Sequence, residues 1–224
     1  MQLKEYMNET FPGVTLVPLI YFQWKNHLHF EFGKGKHQNL EGTDDLNMEY
    51  FSQLYTYNKH LFKDIFSKED EVFLVTNVYR FKKENVKNSQ KINVYNKFIK
   101  KRDLKFQIKQ KTVPFLFEDE EADLYCTYQF SLKCFACDIK YIPLIQAANH
   151  EDFPGLYPRF GHKKEISYPD VFFINVTKDI IMFIYDDRGC EVIAKNKETI
   201  RNLYEKYKEW ISDYERESID KVFT

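Results

Sequence analysis

The stretch from Val171 to Ala194 limits the possible folds most. Val171–Asn175 and Ile180–Tyr185 are β-branched and aromatic runs, joined through the polar turn Thr177-Lys178-Asp179. A second turn, Asp186-Asp187-Arg188-Gly189, returns the chain into Val192–Ala194. Strands joined this closely read as hairpin pairs, because a parallel neighbour needs a crossover of a dozen or more residues. Upstream, Leu124, Cys126, Tyr128, Phe130 and Leu132 alternate with Tyr125, Thr127, Gln129, Ser131 and Lys133. Leu104, Phe106 and Ile108 alternate in the same way with Lys105, Gln107 and Lys109. Period two predicts two strands, each with one face buried and one wet, and the acidic turn Glu118-Asp119-Glu120-Glu121 between them predicts a hairpin. Val72–Tyr79 reads as a further buried strand. Leu19–Trp24 and Leu28–Phe32 read as two short strands around Lys25-Asn26.

Helices fill the remainder. A short helix is expected over 2–10, ended by Pro12-Gly13. Phe51, Leu54, Tyr55, Leu61, Phe62 and Ile65 recur at helical spacing and predict an amphipathic helix over 46–66, with Asp44 or Asp45 near its N-cap. A short helix is expected over 92–100, and Asp138 is expected to cap one from Ile139 to His150. Ile200, Leu203, Tyr204, Tyr207, Trp210, Ile211 and Tyr214 mark a helix over 197–216, solvated on its Arg201, Glu205 and Asp213 side. Helices do not alternate with strands one for one. The expected class is therefore α+β: an antiparallel sheet of hairpins packed by amphipathic helices, with the C-terminal helix on the sheet. A chain of 224 residues, 43% of them hydrophobic, buries enough surface for one domain over 1–224. Two lobes, 1–100 and 101–224, are the alternative.

Several function classes lose support on composition. The net charge of −1 argues against a dedicated nucleic-acid or membrane-surface protein. No apolar run approaches the ~18 residues of a transmembrane helix. Four cysteines and a polar N-terminus without an apolar core point to a cytoplasmic protein. Cys134-Phe135-Ala136-Cys137 has the spacing of a redox pair but lacks its βαβ setting and a second pair to complete a zinc site. His27 and His29 share one side of a strand, yet two imidazoles alone make no metal site. A metal-dependent nuclease built on Asp170, Glu191 and Lys195 fails on spacing, since Glu191 and Lys195 lie about 13 Å apart along a strand. Gly33-Lys34-Gly35 lacks the spacing of a phosphate loop and reads as a turn. No cofactor, metal or catalytic residue is expected. Charge is nevertheless segregated: residues 82–111 hold eleven Lys or Arg against Glu84 and Asp103, a balance of +9, so the rest carries −10. A solvated, lysine-protected sheet edge is the plain reading of that segment. Docking on an acidic partner comes second and nucleic acid third.

Three segments together resemble a bacterial family known as domain of unknown function 3885. They are Asp152-Phe153-Pro154 after Leu144-Ile145-Gln146-Ala147, then Phe173-Ile174-Asn175 with Ile181 to Cys190 and Val192-Ile193-Ala194, and then Leu203 to Tyr207 with Trp210 to Tyr214, Arg216 and Ile219-Asp220. The likeness is best over 138–220 and carries no chemistry with it. It implies the strand–turn–strand–helix order of 171–216.

The expected function is a non-catalytic protein-binding module, in its specific form an immunity protein that neutralises a bacterial toxin domain. Its contact elements would be the turn Tyr185, Asp186, Asp187 and Arg188 and the acidic turn Glu118, Asp119, Glu120 and Glu121, both loops on a rigid sheet. The alternative is a small hydrolase or transferase acting on an anionic or phosphorylated small molecule, with Asp186, Asp187, Arg188 and either Arg80 or Arg159 converging in a cleft.

Overall fold

The computed structural model describes residues 1–82, 93–115, 117, 122–160 and 168–224. Within them the chain is an α+β protein built on one fully antiparallel sheet of seven strands. In chain order the strands are β1 (His27–Glu31), β2 (Glu71–Phe81), β3 (Lys109–Pro114), β4 (Tyr125–Phe135), β5 (Asp170–Asn175), β6 (Ile180–Ile184) and β7 (Gly189–Ala194). Their spatial order is β1-β7-β6-β5-β2-β4-β3. Strands from 1–100 and from 101–224 thus interleave: β2 lies between β5 and β4, and β1 closes against β7. The helices are α1 (Leu3–Thr10), α2 (Met48–Ile65), α3 (Asn93–Phe98), α4 (Tyr141–Asn149), α5 (Lys197–Lys206) and α6 (Arg216–Phe223).

The sheet is covered on both faces, unequally. The larger core gathers Leu54, Leu61 and Ile65 of α2, Leu144 and Ile145 of α4 and Ile200 and Leu203 of α5 over Leu74, Phe173, Met182 and Val192. A smaller core puts Tyr6, Phe11, Ile20 and Tyr21 over Val75, Phe172, Phe183 and Ile193. Every residue of β6 and β7 is consequently buried, which explains why they are apolar throughout but for Glu191. The expectation of one wet face does not hold at this centre. α2 forms where its apolar stripe predicts, but its N-cap is Asn47, not Asp44 or Asp45. The Asn47 side chain accepts the N–H groups of Glu49 and Tyr50.

Four further expectations are corrected. Leu19–Trp24 is no strand: Leu19 takes a left-handed φ of 64°, and Ile20–Gln23 is a 3-10 turn laid over the smaller core. Two bonds between Gln23 and the Thr15 backbone, 2.8 and 3.0 Å long, pin it there. The alternation at Leu104, Phe106 and Ile108 hides another 3-10 turn, Asp103–Gln107, with Phe106 91% exposed. The hairpin partner of β4 begins only at Lys109. Asp138 closes the 3-10 turn Ala136–Asp138, where it accepts the Phe135 N–H, while α4 starts at Tyr141 because residues 139–140 bridge to Ile99 and Phe98. The helix expected over 197–216 breaks after Lys206: Ile211 bridges Phe30, the Ser212 N–H donates to the His29 carbonyl, and α6 follows. An unbroken helix of 20 residues would run about 30 Å and leave the β1 edge unpaired.

Candidate functional site

The turn that follows β6 is folded inward. Asp186 and Asp187 are 6% and 3% exposed, so they do not form the open tip expected of them. Asp186 accepts the Arg188 N–H at 2.6 Å and the Arg188 Nε–H at 2.8 Å, with Nη2 closing the fork. This pairing with Asp186 raises the Arg188 pKa further above its usual value. Tyr50 donates its hydroxyl to Asp187 Oδ2 at 2.8 Å, while burial pushes the Asp187 carboxyl upward. Asn149 donates to the Asp186 carbonyl at 2.7 Å and is itself met by Asn58. Of the turn's charged groups, only the Arg188 side chain reaches solvent. Gly189 is required by close approach, not by a positive φ: a Cβ there would lie 2.0 Å from the Phe30 carbonyl and 2.4 Å from the Tyr185 hydroxyl.

Tyr185 sits between two groups of titratable side chains. On one side its hydroxyl is 3.1 Å from His29 Nε2, and His29 Nδ1 is 2.7 Å from Glu215 Oε2. The Glu215 carboxylate accepts from Nδ1. The Tyr21 ring stacks on His29 with centroids 4.5 Å apart. Glu191, opposite His29 in the β1–β7 register, accepts the Leu19 N–H at 3.1 Å. Its other oxygen, and one oxygen of Glu215, are buried without a hydrogen-bond partner. Burial pushes the Glu191 carboxyl up to about 7, against the backbone N–H groups of Leu19, Ile20 and Tyr21 that pull it down.

On the other side Tyr185 lines a tight crevice with Glu151, Phe160, Tyr168 and Asp170. Burial lifts Glu151 to about 7, helped by the charge of Asp170, and lifts Asp170 to about 7 against its bond from the Tyr79 hydroxyl. Arg159 lies over the Tyr168 ring and donates to the carbonyls of His150 and Glu151. The arrangement is suited to holding protons and repelling anions. Arg159 and Arg188 are both spent on internal partners, and Arg80 projects from β2 towards the larger core, where it is 8% exposed. Among the described residues the cations needed for an anionic substrate do not converge. Nor do any three His, Cys, Asp or Glu side chains there gather as a metal would require. Cys134 is buried on β4 and Cys137 exposed after it, both as free thiols. The acidic turn Glu118, Asp119, Glu120 and Glu121 lies outside the described residues.

Glu215, Glu151 and Tyr79 are not legible as site residues, and His29 stands out in the sequence only as half of an imidazole pair too small to hold a metal. Glu215 is 186 residues from His29, and no local pattern announces the pair. Glu191 and Asp170 were noticed only through a nuclease spacing that fails.

The two sheet edges differ. β1 is covered by residues 211–212. Among the described residues β3 pairs with β4 alone, and five of its six residues are exposed. Lys109 and Lys111 stand on it, and Arg102 stands just before the turn that leads into it. No carboxylate among the described residues neutralises these three. Neighbouring cations are occupied: Lys101 pairs with Asp138 at 2.8 Å, and Lys105 donates to the Asn96 carbonyl at 3.0 Å.

A family profile described as domain of unknown function (DUF3885) matches residues 3–215. A Bacillus subtilis (strain 168) protein, named as the uncharacterized protein YnaE, is 45% identical over 214 residues, which is 96% of this chain and 99% of the relative. No solved structure matches the chain. No helix among the described residues is long and apolar enough to cross a membrane.

Proposed function

The chain belongs to the DUF3885 family over nearly its whole length, and from that premise, which names no activity, we propose that it is a non-catalytic protein-binding module holding its partner along the free edge of its sheet. The observation that carries this reading is the asymmetry of the two edges. An uncovered strand is a template for another chain's backbone, and proteins that do not use such an edge generally shield it. Here residues 211–212 shield β1, whereas among the described residues nothing but β4 pairs with β3, and lysines stand along it. An immunity role, with a toxin domain as the bound partner, is the specific form of this reading.

Adjacent N–H groups of an edge strand point alternately to the sheet and to solvent, so Gln110→Pro and Lys111→Pro differ in kind. One breaks a bond to β4 and lowers the melting temperature. The other leaves folding intact and removes a docking donor. Capture from the native host at physiological salt should recover a partner with the wild type and lose it with the well-folded proline variant. Recovery of the chain alone, or a partner held equally by that variant, counts against the proposal.

A further inference from the structure

The exposed edge also specifies the chemistry of what fits it. Resting on the reading of β3 as a docking edge, we infer that its occupant is an extended acidic segment of a partner protein. It adds as an eighth strand, with acidic side chains two residues apart opposite Lys109 and Lys111. Alternation fixes the geometry. Lys109, Lys111 and Val113 pair with Ser131, Gln129 and Thr127 of β4 and share their face, while Gln110 and Thr112 pair with Phe130 and Tyr128 and share the other. A strand laid against β3 therefore meets two cations on one face and two uncharged polar side chains on the other.

Residues directly opposite across a strand pair stand about 5 Å apart, close enough for an acid to face each lysine and for a second lysine to be repelled. That repulsion disfavours a second copy of this chain as the occupant in the symmetric registers that set lysine against lysine. Lys4 of α1 adds positive charge beside Lys111 on the same side. Three residues before the strand, Phe106 presents a ring that is 91% exposed, an apolar contact for the flank of the bound segment. Among the described residues Phe106 is a single ring beside these lysines, where a single-strand binder interleaves several, which favours a peptide over a nucleic acid.

The test uses the full isotope-labelled chain and two synthetic peptides of about ten residues, one alternating Glu with Val and the other Lys with Val. The Glu–Val peptide should bind saturably and move the amide resonances of 109–113, with the Lys–Val peptide at least tenfold weaker. In the variant Lys109→Glu/Lys111→Glu the preference should invert, which a merely unfolded edge would not produce. Equal binding of both peptides overturns the inference, as does the absence of any shift at 109–113. So does a single-stranded oligonucleotide that moves the same amides as strongly as the acidic peptide, since the edge is then a general polyanion site. If the acidic peptide fails while the host partner remains sensitive to the outward proline, the occupant's chemistry is wrong and the docking edge stands. If the partner ignores the proline, both fall.

Discussion

Glu191 is a buried acid and Glu151 and Asp170 are half-buried ones, and desolvation pushes each up to about 7, in Glu151 against the charge of Arg159. A carboxyl whose folded pKa is raised keeps its proton where the unfolded chain has lost it. Its contribution is therefore greatest below the unfolded value near 4 and declines as pH climbs towards 7. For Glu191, which is 1% exposed, the loss is at most about 3 kcal/mol between pH 4.5 and 7. His27 and His150 pull the other way, since burial holds both below their ordinary value and their neutral forms favour the fold as pH rises. The informative measurement is consequently a difference. Urea midpoints of wild type and Glu191→Gln, taken at pH 5 and pH 8, should diverge, with the variant losing less stability over that span. Parallel pH profiles would show that Glu191 is ionised throughout. Gly189 makes a second case at this scale. The added methyl of Gly189→Ala meets the Phe30 carbonyl at 2.0 Å, and backbone in β1 cannot step aside as a side chain can. A loss of about 3 kcal/mol is expected in urea unfolding, and a loss below about 0.5 kcal/mol would mean that β1 shifts freely.

Helix, strand and turn identities were legible where one period dominated for long enough. The stripe Phe51, Leu54, Leu61, Phe62 and Ile65 places α2 to within two residues at its start, and β5 and β6 stand where their runs put them, while β7 begins three residues before its run, at Gly189. Errors arose where a pattern was short or served two ends. Leu104, Phe106 and Ile108 alternate over five residues, too few to separate a strand from the local bonds of a 3-10 turn. Tyr207, Ile211 and Tyr214 continue a helical stripe, yet Ile211 belongs to the β1 edge and Tyr214 is 87% exposed. Edge coverage overrides helix propensity there, and no local pattern records it. The candidate site suffered most, because pairs such as His29–Glu215 and Tyr50–Asp187 form only when distant strands and helices close. The break after α5 has its own consequence. Ile211 is fully buried against the larger core, and Ile211→Ala removes both that packing and the clamp over β1. A loss of about 2–5 kcal/mol is expected, together with faster amide exchange at His27–Glu31 than at β6. Unchanged exchange at β1 would show that Ser212 holds the edge without Ile211.

Across the whole molecule, charge and cover are arranged together. A sheet with helices on both faces exposes its backbone only at the two ends of the strand order, and here the chain closes one end with its own residues 211–212. The other end carries Lys109 and Lys111, the last two cations of a segment whose +9 in sequence opposes the −10 of the rest of the chain. A lysine pair on a bare strand has two effects at once: it repels a second copy in the registers that set lysine opposite lysine, and it attracts an acidic segment. The two effects separate in the variant Lys109→Val/Lys111→Val. Valine keeps β propensity and removes the charge, so β3 becomes a flat neutral edge able to pair with itself. The variant should self-associate at concentrations where the wild type keeps its mass, as read by sedimentation velocity, and should lose its preference for the acidic peptide. Added salt should push the wild type in the same direction, because repulsion between exposed lysines is screened over about 10 Å at 0.1 M. A variant that keeps the wild-type mass at every concentration would mean that geometry, not charge, guards the edge. The acidic segment would then have to bind by some feature other than its match to these two lysines.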